Sequence, residues 1–252
     1  MTKEVIVRWL IVTLCLALVS CSTSRPEGKT EAEVLYKEAK DLIKDSRFIL
    51  ATEKLNTLRS QYPYSFFATH AELLQADVLF KQENYVESAA AYILFKDFHP
   101  KHKDLAYVIF RIAESFYKQI PDTFDRDLSS AFESMKYYRE LLNFHSNSKF
   151  NQGAVDKIKL CEKMIVDKEQ YIGDFYYRTE AYDAARYRYL SIIDRFKNAP
   201  ELKSHSMIRI VMSSEKLGEK EDCSKYFNLY KSQINPKSLK LLTNVHNKCL
   251  GK

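Results

Sequence analysis

Few residues in this chain are arranged for chemistry. His99 and His102 flank Pro100-Lys101, and two imidazoles three apart could begin a metal site. Pro100 would break a helix at that point, and no other histidine or cysteine stands nearby. His99 also falls in a slot that Tyr62, His145 and Phe196 fill elsewhere, so a packing role is expected and no metal. Asp122, Asp125 and Asp127 cluster closely enough to suggest a calcium loop. The glycine that an EF-hand turn needs is absent, however, and no glutamate occupies its twelfth position. Asp127 or Ser130 is expected to cap a following helix instead, with Arg126 pairing locally. The chain has 252 residues and only five glycines, Gly28, Gly153, Gly173, Gly218 and Gly251. They are too scattered for backbone N–H groups to close on a phosphate. Neither H-E-x-x-H nor G-x-S-x-G occurs. No catalytic residue, metal or cofactor is expected, and the chain does not read as an enzyme.

Cys21 is the residue best placed for covalent chemistry. Lys3 and Arg8 accompany an apolar run from Trp9 to Val19, too short to span a bilayer but suited to a secretory signal. The run ends in Leu18-Val19-Ser20-Cys21, which resembles the lipobox of bacterial lipoproteins. That resemblance implies removal of residues 1–20 as a signal peptide and acylation of Cys21. Each buried methylene contributes about 0.8 kcal/mol, and stable anchoring takes at least two chains, so a triacylated cysteine holds a protein on a membrane. Ser22, where an aspartate would retain the protein elsewhere, resembles the outer-membrane sorting signal of Gram-negative lipoproteins. Residues 21–30 read as a lipidated, flexible tether. Cys15 leaves with the signal. Cys161, Cys223 and Cys249 remain in an oxidising compartment without a C-x-x-C pair. Buried free thiols are expected, with a Cys223–Cys249 bridge as the alternative.

Hydrophobic residues make up 46% of the chain and charged residues 29%, enough for a substantial core. Scarce glycine argues against hairpin-rich sheets. The net charge of +6 resides in residues 197–252, which hold eleven Lys or Arg against five Asp or Glu. In this context a basic C-terminal end suits an acidic protein surface or anionic lipid, not nucleic acid.

The elements that position these residues come from an internal repeat. Tyr62-Pro63 returns as His99-Pro100, and the same offset relates Ala39 to Ala76, Ala51 to Ser88 and Ala76 to Ala113. The offset then lengthens, which places an insertion at about 118–130. The pattern resembles the tetratricopeptide repeat, whose eighth and twentieth positions are small where two helices cross. Ala39, Ala76, Ala113 and Gly173 occupy the eighth position; Ala51, Ser88, Ser134 and Ala185 occupy the twentieth. No such helix pair buries its apolar face alone, so the repeats must stack. The expected fold is all-α: a right-handed α-solenoid of about five tetratricopeptide repeats with a C-terminal capping helix. Residues 31–150 hold repeats one to three. Residues 151–252 hold a long connecting helix, repeats four and five, and the cap. Helices are expected at about 31–44, 48–61, 67–81, 85–98, 104–118, 128–144, 151–180, 182–197, 203–217, 220–233 and 237–249, the fifth repeat being degenerate.

Tyrosine and phenylalanine are abundant, 17 and 15, most at core positions and a minority suited to a groove for extended peptide. Arg178, Arg186, Arg188 and Arg195 stud the fourth repeat, where guanidinium groups suit carboxylates on a partner. The stretch from Leu35 to about Asn198 carries Leu35-Tyr36-x-Glu38-Ala39, Tyr62-Pro63-Tyr64, His102-x-Asp104-x-Ala-Tyr107-Val108, Asp125-Arg126-Asp127, Asn147-Ser148 and Tyr176-Tyr177. With the lipobox and the inserted third repeat, these resemble the BamD family, outer-membrane lipoproteins of the β-barrel assembly machinery. The resemblance implies a lipid-anchored scaffold on the periplasmic face of the outer membrane. It implies partners too: the POTRA part of BamA, other Bam lipoproteins, and unfolded outer-membrane proteins received by the N-terminal repeats. A BamA-contact arginine of the family falls on Arg188, counted from Tyr182. A different tetratricopeptide lipoprotein, serving cell-wall synthesis or division, is the alternative, and the Asp125-Arg126-Asp127 insertion favours the first.

Overall fold

The structure, a computed structural model, describes residues 25–197 and 199–251. The signal segment, Cys15 and Cys21 lie outside them. Among the described residues there are eleven α-helices and no strand. They are α1 (Glu31–Lys44), α2 (Phe48–Gln61), α3 (Phe66–Lys81), α4 (Tyr85–Phe98), α5 (Leu105–Lys118), α6 (Ser129–Phe144), α7 (Asn151–Arg178), α8 (Tyr182–Arg195), α9 (Pro200–Leu217), α10 (Lys220–Tyr230) and α11 (Pro236–Cys249). These bounds follow the expected ones closely; α9 starts three residues early and α10 stops three early. No helix among the described residues is long and apolar enough to cross a membrane. The described residues divide into two compact units, one ending at Ala91 and the other beginning at Tyr92, with the boundary inside α4.

In the N-terminal unit, Thr30 caps α1 by accepting the Glu33 N–H at 3.2 Å, and Ser65 caps α3 through the Phe67 N–H at 3.2 Å. Ala39, Ala51 and Ala76 have no exposed surface, and Leu55, Leu58, Ala71 and Val78 are buried around them. The Ser88 hydroxyl donates to the Ala76 carbonyl at 3.2 Å, a bond that only a close crossing of α3 and α4 allows. Residues 25–30 run along α1: Arg25 pairs with Glu31 and Glu38, and the Lys37 ammonium donates to the Glu27 carbonyl at 2.7 Å.

The C-terminal unit repeats the same crossing. The Ser134 hydroxyl donates to the Ala113 carbonyl at 3.0 Å. At the α7–α8 crossing, Gly173 faces the Tyr189 ring so closely that a Cβ would lie 2.7 Å from its Cε1. Ala185, one turn before Tyr189, is fully buried. The degenerate fifth repeat keeps the spacing with other residues: Cys223 Sγ sits 3.8 Å from the carbonyl oxygen of Val211, twelve residues earlier. The turns confirm this register. Ser46, Glu83, Glu180 and Gly218, each seven residues past the eighth-position residue, all have left-handed φ of 58–74°. Each is followed by an N–H bonded back to the helix: Arg47 to Leu42, Asn84 to Leu79, Ala181 to Tyr176 and Glu219 to Ser214. This is the Schellman closure of a helix end, and in three of the four turns it forms without glycine.

The insertion between α5 and α6 is packed. Ile120 and Phe124 lie against Leu128, Ala131, Met135, Cys161 and Ile165. The Lys168 ammonium donates to the Arg126 carbonyl, tying the insertion to α7. α11 packs on α9 and α10 as expected of a cap, with Leu242 fully buried and the His246 ring stacked on Phe227 at 4.1 Å. One expectation is overturned here. Cys223 and Cys249 form a disulfide, with Cα atoms 6.5 Å apart, and only Cys161 is a buried free thiol among the described residues. The bridge joins the crossing point of the fifth repeat to the last turn of the cap.

Candidate interaction surfaces

The arginines of the fourth repeat depend on how α8 is seated. Ala185, Tyr189 and Ile192 form its buried stripe. The Tyr189 hydroxyl donates to Asp174 Oδ1 at 2.7 Å, and the same oxygen takes His205 Nε2 at 2.9 Å and lies 3.4 Å from Arg209 Nε. Burial of the Asp174 carboxyl opposes its ionisation. The hydrogen bonds from His205 and Tyr189, with the Arg209 charge, outweigh that and hold it at about 2. Burial and the facing Asp174 carboxylate push the Tyr189 phenol well above its ordinary range. A parallel bond joins the Tyr138 hydroxyl to Glu114 in the third repeat.

With α8 fixed, its three arginines part company. Arg186 turns toward α10 and is taken up by Glu219, by Asp222 at 3.2 Å and by Asp183 at 3.3 Å, with the Ser214 hydroxyl at 3.1 Å. Burial lowers its affinity for the proton, yet the Glu219 and Asp222 contacts raise the balance above the usual value. Arg195 pairs with Glu169 on α7 at 3.0 Å. Arg188, half-buried, forms no hydrogen bond or ion pair among the described residues. Arg178, just before the turn, lies over the Tyr171 ring at 6.0 Å. Beside these, Tyr187 is exposed over 72% of its surface and Phe175 over 45%.

The N-terminal unit carries a surface that repeat spacing alone does not single out. Rings of Tyr36 on α1 and Phe66, Phe67 and His70 on α3 form one cluster. Its centroids lie 5.5 Å apart for Tyr36–Phe67, 5.5 Å for Phe66–Phe67 and 4.2 Å for Phe66–His70. Phe66 remains 70% exposed and neighbouring Tyr64 fully so. The Lys40 ammonium stands 5.9 Å over Tyr36. A signal for it does exist in the chain: Tyr36 and Lys40 are one turn apart, as are Phe66 and His70.

The other residues singled out for chemistry have structural partners. The rings of His99 and His102 both pack on Phe95, at 4.6 and 5.0 Å. The Asp127 carboxylate accepts the Ser129 N–H at 3.2 Å and its hydroxyl at 3.0 Å just before α6, whereas the N-cap itself is Leu128 and has no side-chain cap bond, so neither Asp127 nor Ser130 is the cap. Asp125 is held below its usual range by the Thr123 hydroxyl. Burial pushes the Cys161 thiol up to about 11, which keeps it protonated and unreactive. Among the described residues no group of three or more His, Cys, Asp or Glu could hold a metal ion.

The YfiO family, described as outer membrane lipoprotein, matches residues 28–228. A protein named outer membrane protein assembly factor BamD from Rickettsia prowazekii is 27% identical over 218 residues, spanning 86% of this chain and 86% of its own length. The protein of that name from Neisseria meningitidis serogroup A is 27% identical over 226 residues, spanning 83% and 84%. Among solved structures, the TPR2AB domain of yeast Sti1 in complex with pHSP90 is similar at a TM-score of 0.42 and 13% identity, covering 88% of this chain and all of that one. So loose a likeness adds nothing to the fold already described.

Proposed function

The chain belongs to the YfiO family of outer membrane lipoproteins, and on that premise we propose that it is a lipid-anchored scaffold holding unfolded β-barrel substrates and BamA at one membrane. Outer membrane protein assembly is the role it shares with its relatives, which are assembly factors and not enzymes. Attachment is assigned to acyl groups on Cys21, supported by the lipobox spacing and the family's description as lipoproteins. On this reading the helical repeats sit on the periplasmic face of the outer membrane. Substrate is assigned to the N-terminal unit, where the Tyr36, Phe66, Phe67 and His70 rings offer amphipathic faces to an extended, aromatic-rich segment. BamA, through its POTRA part, is assigned to the fourth repeat. Two binding surfaces on one chain raise the effective concentration of substrate at the insertase.

The observation that carries the BamA assignment is Arg188. It is the one arginine of α8 with no internal hydrogen bond or ion pair among the described residues. A half-buried guanidinium in that state has all five donors available to a partner carboxylate. Arg188→Glu is expected to abolish co-purification of BamA while leaving the helical circular dichroism unchanged. Undiminished co-purification would remove Arg188 from the contact. Arg186→Glu is the contrasting variant. It breaks an internal network, so its effect should appear in thermal stability.

A further inference from the structure

A second surface of the C-terminal unit does not include Arg188 among its lining residues. Between α6, the middle of α7 and the segment after α8 runs an open groove of about 610 Å³. Its floor is apolar: Phe132 and Met135 from α6, Ile165 and Val166 from α7, then Phe196 and Ala199. Met135 and Ile165 are buried, whereas Phe132 is 49% exposed on the first turn of α6. The volume falls in the range that takes a small ligand or a few side chains, roughly 300–1,000 Å³. A phenylalanine left half in water beside such a floor has apolar surface to bury against a partner.

The rim determines which partner. Arg139, Lys163, Arg195 and Lys197 line it against a single acid, Glu162. Arg139 spends only Nη2 on Glu162, at 2.9 Å, and Arg195 only Nη1 on Glu169, at 3.0 Å. Each guanidinium therefore keeps N–H donors outside those bonds, and Arg195 also lies 5.3 Å over the Phe196 ring. The Lys163 ammonium, paired with Asp167 at 2.6 Å, is still 71% exposed, and Lys197 has no hydrogen bond or ion pair among the described residues. We propose that this groove docks a polypeptide segment of a partner in which apolar side chains alternate with carboxylates, the apolar ones on Phe132 and Phe196 and the acids on the rim. A basic segment would be repelled by the rim. An acidic segment without apolar side chains would leave the floor wet. Arg188, the residue assigned to the BamA contact above, is not among the residues lining this groove.

The test is fluorescence anisotropy on the purified full chain with short fluorescein-labelled peptides of alternating Leu and Glu, Leu and Lys, or Ser and Glu. The Leu–Glu peptide is expected to bind, with the other two at least about tenfold weaker. Phe132→Asp and Lys197→Glu should each weaken the Leu–Glu peptide by about tenfold with the thermal transition unchanged. Arg188→Glu should leave it untouched. Absent binding of the Leu–Glu peptide, equal binding of Ser–Glu, or indifference to both groove variants would overturn the proposal. Should Phe132→Asp lower the thermal transition, the exposed Lys197→Glu decides alone.

Discussion

Gly173 shows how one residue sets the register of a helix pair. The space its Cβ would occupy is filled by the Tyr189 ring, and that ring cannot swing away without giving up its bond to Asp174. Gly173→Ala should therefore cost about 1–3 kcal/mol, measured by denaturant unfolding, with the loss coming from overpacking and not from helix propensity, which alanine improves. The Asp174 carboxylate at the same crossing makes stability depend on acid. Its pKa falls from about 3.9 in an unfolded chain to about 2 here. A depressed carboxylate stabilises the fold fully above its unfolded pKa and loses that contribution as pH falls through the folded value. The window thus runs from about pH 4 down to about pH 2, with an amplitude on the order of 2 kcal/mol. Asp174→Asn should lower stability at neutral pH and flatten the acid limb between pH 4 and 2. An acid limb as steep in the variant as in the parent would mean that another group carries it.

The helices themselves are legible in the spacing of residues along the chain. A thirty-seven-residue offset, small residues at the crossings and turn residues between them mark eleven elements, and the observed ends differ from the expected ones by three residues at most. Less legible is the fifth repeat. Val211 is a branched residue where the first four repeats have Ala or Gly, so the small-residue pattern breaks there; only the twelve-residue interval to Cys223 preserves it. The disulfide cannot be deduced either, because connectivity depends on how the cap packs and a sequence supplies no distance. Nor can the arginines be sorted. Arg186, Arg188 and Arg195 look alike along the chain, and they differ because Glu219 and Asp222 at the start of α10 reach Arg186 and Glu169 on α7 reaches Arg195. At this scale the cap is the element to test. Closing twenty-six residues between Cys223 and Cys249 restricts the unfolded chain by about 3–4 kcal/mol in the chain-entropy estimate. Cys249→Ala, or reduction of the parent, should lower stability by up to that amount and loosen α11 in hydrogen exchange. The N-terminal unit should keep its protection. Uniform loss of protection across both units would mean that the bridge supports more than the cap.

For the molecule as a whole, function lies in surfaces. The chain has aromatic rings gathered on one unit and an arginine with open donors on the other, and its sequence carries Leu18-Val19-Ser20-Cys21, which resembles a lipobox, ahead of both. On the proposed function each of these acts by holding a partner or a membrane. The most direct test is affinity purification of the full chain from solubilised outer membrane, followed by identification of the proteins that come with it. BamA is predicted as the principal partner, accompanied by unfolded outer-membrane proteins and other Bam lipoproteins. Recovery of cell-wall synthases or division proteins without BamA would contradict this reading.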